Sequence, residues 1–334
     1  MVGQPQPGDE RDTQPVVSII VACKAIDQYV LQCIDETKKL DFQSYEVIVL
    51  PDSENGLRDR GVIVIPTGPI APSEKRNIGA EKSKGEILAF LDGDAYPARD
   101  WLKNAVRHLQ DNSIVAVGGP SLTPETDEIM QKASGEIFSS YIGSGPLSLR
   151  NSKKNARKCD DLPSVNLLVR RGSFDRIGGF DSGFWPGEDT KFCRDLQKKE
   201  GNSLLYSPDV QVFHHRRALF GPHLRQIAGY GLHRGYFSKK FPENSRKITY
   251  FAPAALLLAL PTSVALLFTH GILSVIALAF LGSYLSILLV SSGIVGLRQK
   301  SALLASVVFL GAIATHICYG AYFVKGLLSR NLAR

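Results

Sequence analysis

In the stretch Gly85-Glu86-Ile87-Leu88-Ala89-Phe90-Leu91-Asp92-Gly93-Asp94, an apolar run ends in two carboxylates one residue apart. The run is too short for a helix and predicts a buried strand. Such strands occur in parallel sheets that are covered on both faces, and ligands bind at their carboxyl ends. We therefore expect Asp92 and Asp94 to project into a crevice, where they suit Mg2+ or Mn2+ bridging phosphates. A turn with two solvated acids is the alternative at this point.

Apolar runs and helical stretches alternate on both sides of this strand. Further strands are predicted at residues 16–22, 45–50, 62–65, 114–117 and 163–171. Helices are predicted at residues 28–40, 72–84, 97–110 and 190–199. This alternation implies βαβ units and a parallel sheet. No glycine-rich phosphate loop follows the first strand, which argues against a dinucleotide enzyme or an ATPase.

The charge and the hydropathy of the chain are divided between its two ends. The chain has 334 residues, with 39 Lys and Arg against 32 Asp and Glu, and this length suits two domains. Residues 248–297 and 301–324 contain no charged side chain, whereas residues 214–247 contain eight Lys and Arg and one acid. Membrane helices need about 20 apolar residues. A basic collar around such segments favours anionic lipid headgroups as partners and argues against nucleic acid.

These patterns predict four parts of the chain. They are a disordered tail (1–15), a catalytic domain (16–213), a basic amphipathic interfacial segment (214–250) and a transmembrane region (251–328). Three spans are predicted, at residues 251–269, 272–296 and 302–324. The five cysteines lack the spacing of a metal site and suggest reduced thiols in a cytosolic domain.

The basic residues on the two sides of the last span give conflicting indications of its orientation. Arg298 and Lys300 are expected on the cytoplasmic side of a plasma or inner membrane, together with the catalytic domain. Three complete spans would then place Lys325, Arg330 and Arg334 outside, against the positive-inside trend. Either the last segment is shallow or the trend is weak here.

Two further segments carry charges that have both a functional and a structural interpretation. The long segment 143–161 contains five cations that could meet an anionic lipid or a diphosphate, or form a solvated loop. Glu188 and Asp189 open a predicted helix, where acids cap the helix and meet its dipole. The functional interpretation is that one of them is a general base that deprotonates a hydroxyl.

The order of the motifs resembles a known family. The motifs are Asp52 after the second strand, Arg76-Asn77, Asp92-Gly93-Asp94, the Asn166–Arg171 strand, Gly178-Gly179-Phe180-Asp181, Gly187-Glu188-Asp189 and the segment from Pro208 to His214. Together they resemble the family 2 inverting glycosyltransferases of GT-A fold. The segment His214-His215-Arg216-Arg217 and the apolar C-terminal region resemble the membrane-attached polysaccharide branch, including succinoglycan-type glucosyltransferases.

The resemblance implies an α/β fold with a Rossmann-like mixed sheet flanked by helices, followed by an interfacial helix region and transmembrane helices. It also implies roles for individual residues. Asp189 would be the catalytic base and Glu188 would shape the acceptor site. Ala22, Lys24, Asp52, Arg76 and Asp92 would contact the nucleotide. Asp94 and His214 would bind the metal, with His215 as the alternative ligand, and an imidazole ligand would favour Mn2+ over Mg2+.

The chain departs from the family pattern at Cys23-Lys24-Ala25 and at Pro51-Asp52, both beside the expected nucleotide pocket. The nucleotide base of the donor therefore stays open. The predicted function is metal-dependent, inverting transfer of a sugar from a nucleotide-diphosphate sugar to a hydroxyl of a lipid-linked or polysaccharide acceptor. Two alternatives are a polyprenyl-phosphate glycosyltransferase and a non-catalytic membrane scaffold.

Overall fold

A computed structural model describes residues 16–54, 60–201 and 203–332, so the predicted tail at 1–15 lies outside the described residues. The strands are β1 (Val17–Ala22), β2 (Tyr45–Leu50), β3 (Ile63–Val64), β4 (Ile87–Asp92), β5 (Ala95–Pro97), β6 (Ile114–Gly118), β7 (Ser121–Leu122), β8 (Arg157–Cys159), β9 (Asn166–Arg170), β10 (Ser203–Tyr206) and β11 (Val212–His214).

The α-helices of the catalytic part are α1 (Gln28–Thr37), α2 (Pro72–Lys82), α3 (Trp101–Leu109), α4 (Ile129–Ser139), α5 (Tyr141–Ser144), α6 (Arg171–Ile177) and α7 (Glu188–Glu200). They are followed by α8 (Gly221–Lys240), α9 (Pro242–Ser245), α10 (Ile248–Leu266), α11 (Ile272–Gln299) and α12 (Ala302–Leu328). Short 3-10 helices lie at Gly145–Asn151 and Ser182–Phe184.

The main sheet has eight strands in the order β3-β2-β1-β4-β9-β6-β10-β8. Strands β1 to β4 are parallel, as the alternating pattern predicts. Strand β9 runs antiparallel to both β4 and β6, so the sheet is mixed. A second sheet of three strands, β5-β11-β7, lies beside the carboxyl end of β4. The predicted α/β fold with a mixed sheet and three long apolar C-terminal helices is therefore confirmed.

The main sheet is buried on both faces, which explains why its central strands are mostly apolar. Every residue of β1 is buried. Its odd-numbered side chains pack with α1 and α3, and Ile20 packs on the other face with α7 and a group of phenylalanines. The buried Asn166 of β9 accepts a hydrogen bond from Trp101 Nε1 at 2.9 Å and donates one to the Val210 carbonyl at 2.8 Å. Its polar atoms are thus paired inside the core.

Several predicted boundaries shift for local reasons. The helix predicted at 97–110 begins at Trp101, because Pro97 pairs with Val212 between β5 and β11. The helix predicted at 190–199 begins two residues earlier, so Glu188 and Asp189 lie in its first turn. The segment 143–161, for which a solvated loop was one interpretation, contains a 3-10 helix and strand β8.

Helix α8 packs tightly against α12, so it is held between α12 and the catalytic domain. A Cβ atom at Gly235 would lie 2.0 Å from the Phe323 carbonyl oxygen, and one at Gly326 would lie 2.0 Å from the Leu232 carbonyl oxygen. The two backbones therefore touch where these glycines lie. The basic, aromatic segment predicted to lie among headgroups is thus also a packed structural layer.

Helices α10, α11 and α12 are each long and apolar enough to cross a membrane. Helix α12, however, contacts the catalytic domain near one end and, near the other end, helix α8, which is paired with the catalytic domain through Arg234 and Asp161. Leu304 packs with Ala133 and Ile137 of α4. At the other end, Lys239 Nζ of α8 donates to the Ser329 carbonyl at 2.7 Å. These contacts are about 37 Å apart along the helix at 1.5 Å per residue, which exceeds the ~30 Å thickness of the hydrocarbon core.

We therefore predict that both ends of α12 lie on the same side of the membrane as the catalytic domain. An epitope tag after Arg334 should then have the same protease accessibility in sealed membrane vesicles as one before Val16. A tag inserted at His270-Gly271, between α10 and α11, is the comparison site. If the C-terminal tag is protected on the side opposite to the N-terminal tag, α12 crosses the membrane and the prediction is wrong.

Candidate active site

The carboxyl end of β4 brings together the three side chains that suit a divalent cation. Asp92 ends β4, Asp94 follows after Gly93, and His214 lies opposite Ala95 across the β5–β11 pair. One ligand atom from each of Asp92, Asp94 and His214 lies within 4.8 Å of the others. A Cβ atom at Gly93 would lie 2.9 Å from Cys23 Cβ, so the tight turn needs glycine.

The electrostatics keep Asp94 ionised. Burial pushes the pKa of Asp94 upward, but His214 and Arg217 beside it outweigh burial and leave the pKa below its ordinary value. His214 Nε2 lies 3.3 Å from Asp94 Oδ1. An ionised carboxylate next to an imidazole is a fitting donor set for Mn2+ or Mg2+.

The other imidazole nitrogen of His214 has its own partner. Arg216 Nη1 lies 3.2 Å from His214 Nδ1, and because arginine can only donate, Nδ1 accepts and the ring proton lies on Nε2. A neutral imidazole binds a metal through its unprotonated nitrogen. Cation binding through Nε2 would thus require the proton to leave Nε2 and the contact with Arg216 to break.

His215, the alternative metal ligand, has a structural role. Its Nδ1 lies 2.5 Å from Asp127 Oδ1 and its Nε2 lies 3.0 Å from Gln32 Oε1, and the side chain is buried. Both ring nitrogens thus have hydrogen-bond partners other than a cation.

Asp52 forms a clamp at the ends of β1 and β2. Its carboxylate pairs with Lys75 of α2, whose Nζ also donates to the Cys23 carbonyl at 2.8 Å. The Asp52 amide donates to the Lys24 carbonyl at 3.0 Å. Ala22 and Lys24 line the central cavity, whereas Asp52 does not. Lys75, which was not predicted as a site residue, therefore links the ends of β1 and β2 through Cys23 and Asp52.

Arg76 connects the two acidic motifs. Its Nη2 lies 2.6 Å from Asp92 Oδ1 and its Nη1 lies 3.0 Å from Glu188 Oε1. Arg76 and Glu188 are buried. Burial raises the pKa of Glu188 to about 7, although Arg76 acts in the opposite direction. Arg76, which is expected to contact the nucleotide, lines the cavity while its guanidinium pairs with these two carboxylates.

Asp189 is half-buried at the start of α7 and lines the same cavity. Its Oδ1 accepts a hydrogen bond from the Thr190 amide at 2.7 Å, which is the local contact that the capping interpretation expects. Burial raises the pKa of Asp189, although Arg150 counteracts it. A carboxylate with a raised pKa is a better proton acceptor than an ordinary one.

A buried ion network lies behind Asp189. Asp161 Oδ1 lies 2.5 Å from Arg150 Nη2, and Asp161 Oδ2 lies 3.1 Å from Arg234 Nη2. Thr190 Oγ1 donates to Asp161 Oδ2 at 3.0 Å. The sequence analysis noted Arg150 only as one of five cations in a long segment. Asp161 and Arg234 were missed, because their partners are distant in the sequence.

One continuous cavity of about 1140 Å³ joins these groups to the apolar helices. One part is lined by Lys24, Arg76, Asp92, Asp94 and His214. Another part is lined by Pro253 and Leu256 of α10, Leu288 of α11, and His316 and Tyr319 of α12. Glu188, Asp189 and Arg150 also line it. The acidic site at the end of β4 is therefore open to the region between the apolar helices.

Comparison with known proteins agrees with this architecture. Residues 18–178 match the family model described as Glycosyl transferase family 2. The chain is 27% identical over 229 residues to glycosyltransferase AglE of Haloferax volcanii, covering 64% of this chain and 71% of that protein. It is 24% identical over 252 residues to a dolichyl N-acetyl-alpha-D-glucosaminyl phosphate 3-beta-D-2,3-diacetamido-2,3-dideoxy-beta-D-glucuronosyltransferase of Methanococcus voltae, covering 67% of this chain and 74% of that protein.

A solved structure shares the fold over nearly the whole chain. The mannosyltransferase PcManGT from Pyrobaculum calidifontis, in complex with GDP-Man and Mn2+, superposes with a TM-score of 0.62 at 17% sequence identity. The superposition covers 96% of this chain and 89% of that one. The matched family model, the related sequences and this shared fold show a glycosyltransferase that contains a family 2 domain at residues 18–178 and has a GT-A fold.

Proposed function

We propose that this glycosyltransferase moves a sugar from a nucleotide-diphosphate sugar to a hydroxyl of a lipid-linked sugar, with inversion at the anomeric carbon. The observation that carries the proposal is the cavity, which holds the two acidic motifs and continues between the apolar helices. A donor diphosphate at the end of β4 and a lipid-bound acceptor would then meet beside Asp189.

The donor part of the proposal rests on the chemistry at the ends of β1 and β4. Ala22, Lys24, Asp92 and Asp94 line one part of the cavity, and ligands of such sheets bind at these strand ends. Arg217 is exposed, lines the cavity and has no hydrogen-bond or ion-pair partner among the described residues. It is a candidate partner of the diphosphate.

The residues present also fit a divalent cation. Asp94, with Asp92 and His214 at its side, would hold Mn2+ or Mg2+, and the bound cation would stabilise charge on the leaving diphosphate. The solved structure of PcManGT contains Mn2+ together with GDP-Man. His214 favours Mn2+ in this chain, because imidazole is a better ligand for Mn2+ than for Mg2+.

The mechanism assigns different tasks to the carboxylates. The acceptor hydroxyl oxygen forms a bond to the anomeric carbon of the donor, and the bond from that carbon to the diphosphate oxygen breaks, with its electron pair remaining on the diphosphate. Asp189 takes the hydroxyl proton as general base. Arg76 keeps Asp92 and Glu188 in place through its two ion pairs. A single displacement inverts the anomeric centre.

The acceptor class follows from the apolar half of the cavity and from the relatives. The name of the Methanococcus voltae relative, and that of a glucosyl-dolichyl phosphate glucuronosyltransferase of Haloferax volcanii that is 23% identical over 150 residues, describe acceptors in which a sugar is attached to dolichyl phosphate. Transfer to a sugar hydroxyl requires a base, whereas a free lipid phosphate is already ionised. The presence of Asp189 in the cavity therefore favours a lipid-linked sugar over a bare polyprenyl phosphate. The basic collar of the chain fits a membrane with anionic lipids, with the catalytic domain on the cytoplasmic side.

The base assignment predicts the effect of Asp189→Asn. Asparagine keeps the size of the side chain and can still accept the Thr190 amide, so folding and donor binding should persist. Transfer should fall by ~10²–10⁴-fold, which is the usual contribution of a positioned base. Transfer and nucleotide-diphosphate affinity should be measured on the same purified variant.

The comparison variant is Glu188→Gln, which keeps the same helix turn but removes a carboxylate bound to Arg76. Near-wild-type transfer by Asp189→Asn together with loss of transfer by Glu188→Gln would move the base to Glu188. Loss of both transfer and nucleotide affinity in Asp189→Asn would mean that Asp189 serves the donor.

The metal assignment predicts that Asp94→Ala abolishes metal-dependent turnover while the protein remains folded, since Asp94 lies after the strand end and not in the core. Mn2+ affinity should be measured by titration next to turnover with a panel of nucleotide sugars, including hydrolysis of the donor. Retention of both Mn2+ binding and turnover would show that the metal site lies elsewhere.

A further inference from the structure

The cavity contains a second group of hydrogen-bond donors, away from the metal ligands. Two arginines, Arg150 and Arg234, share the single carboxylate of Asp161. Arg234 has several other partners: its Nη1 donates to Ser245 Oγ at 3.2 Å and its guanidinium lies 4.7 Å from the centre of the Tyr250 ring. Asp161 also accepts from Thr190 Oγ1 at 3.0 Å. Arg234 therefore has several partners besides Asp161, whereas Asp161 Oδ1 has only its ion pair with Arg150 among the described residues.

Arg150 is left with unused hydrogen-bonding capacity. Its side chain is only 19% exposed, and its ion pair with Asp161 is its one partner among the described residues. Its Nη2 makes no well-oriented hydrogen bond there. A guanidinium N–H group in a largely buried position is costly to leave without a hydrogen bond, and an anion that approached Arg150 could pair with it. Arginine is also the side chain best suited to hold a phosphate through two N–H groups.

A buried hydroxyl in the same region points to a ligand independently. Tyr319 Oη of α12 is buried and has no hydrogen-bond partner among the described residues. Tyr319, Tyr250 and Arg150 all line the cavity. A buried polar atom normally has a partner, because leaving it unpaired costs about 1–3 kcal/mol. A phosphate oxygen is an acceptor that both Tyr319 and Arg150 could share.

The position of this group relates it to the base and to the apolar helices. Three short contacts connect Arg150 to Asp189: Arg150 to Asp161 at 2.5 Å, Asp161 to Thr190 Oγ1 at 3.0 Å, and the Thr190 amide to Asp189 at 2.7 Å. In the other direction, Tyr250 lies in the first turn of α10, and Pro253 and Leu256 of the same helix line the cavity. The donors thus lie where the cavity changes from polar to apolar.

We propose that Arg150 and Tyr319, with Tyr250 beside them, bind the phosphate of a lipid-linked acceptor whose hydrocarbon chain lies against Pro253, Leu256 and Leu288. This inference rests on the proposed function and specifies the acceptor of that site. Because Arg150 is so close to Asp189, the phosphate belongs to the same sugar that carries the attacking hydroxyl. The acceptor is therefore a monosaccharide phospholipid, and a reaction that attaches a first sugar to a lipid phosphate must supply it.

The first test measures binding of farnesyl phosphate and of farnesol to the full chain in detergent, without any donor. We expect farnesyl phosphate to bind roughly tenfold more tightly than farnesol, the size of effect expected from a charged hydrogen bond. Tyr319→Phe and Arg150→Lys should each remove most of this difference and leave nucleotide-diphosphate binding unchanged. Arg157→Gln removes an exposed arginine of the same segment outside the cavity and is the matched control.

Tyr319→Phe separates binding from folding. If the Tyr319 hydroxyl does not bind the phosphate, its removal should leave the stability of the fold unchanged or increase it, because the group has no hydrogen-bond partner among the described residues. The affinity for farnesyl phosphate would then not change. That outcome would overturn the proposal. So would equal affinity of the wild type for farnesyl phosphate and farnesol. Displacement of farnesyl phosphate by inorganic phosphate at equal concentration would overturn the assignment to a lipid.

The second test compares transfer to prenyl-phosphate monosaccharides, to prenyl-phosphate disaccharides and to octyl glycosides of the same sugars. The monosaccharide phospholipids should have the lowest KM, and Tyr319→Phe should raise that KM roughly tenfold without changing donor hydrolysis. A preference for the octyl glycosides or for the disaccharides would overturn the inference and leave the glycosyltransferase activity standing. Absence of donor hydrolysis in the wild type would instead count against the proposed function.

Discussion

The ion pairs of Arg76 hold the parts of the active site at fixed positions relative to one another. This one guanidinium, on α2, contacts Asp92 at the end of β4 and Glu188 at the start of α7. A buried charge is tolerated only when it is paired, and removal of one partner leaves the other charge uncompensated. The burial of Glu188 raises its pKa to about 7, and the nearby carboxylates of Asp189 and Asp92 act in the same direction. This carboxyl can therefore hold a proton near neutral pH. Arg76 thus links the strand end that carries Asp92 to the helix turn that carries Glu188 and Asp189.

Much of this fold can be predicted from the sequence, because apolar runs of strand length alternate with helical segments. The two carboxylates after β4 were also predictable, since strand ends in such sheets bind ligands. The antiparallel direction of β9 was not, because burial on both faces looks the same in either direction. The partners of Arg76 were not predictable either: Glu188 lies 112 residues away. The adjacent His214 and His215 differ only in their tertiary contacts, and the contacts of His215 with Asp127 and Gln32 show its structural role.

The length and the apolar composition of residues 248–328 correctly predict helices long enough to cross a membrane. They do not indicate which face of each helix packs against the rest of the protein. In α12 the polar residues Thr315, His316 and Tyr319 line the cavity, whereas Leu303, Leu310 and Leu328 are exposed. The glycines at 235 and 326 allow α8 to approach this helix closely. Helix α12 therefore forms part of the wall of the cavity while it presents apolar side chains to its surroundings.

The arrangement of Arg150 and Asp189 suggests how transfer to a sugar is favoured over transfer to water. In the free protein, Arg150 lowers the pKa of Asp189 against the larger effect of burial. A phosphate bound to Arg150 would offset that cation, so the pKa of Asp189 would rise further and its carboxylate would become a stronger base. Water carries no phosphate and would meet the weaker base. The proton acceptor would then reach its full strength only when the anionic acceptor is in place, beside the hydroxyl that it must deprotonate.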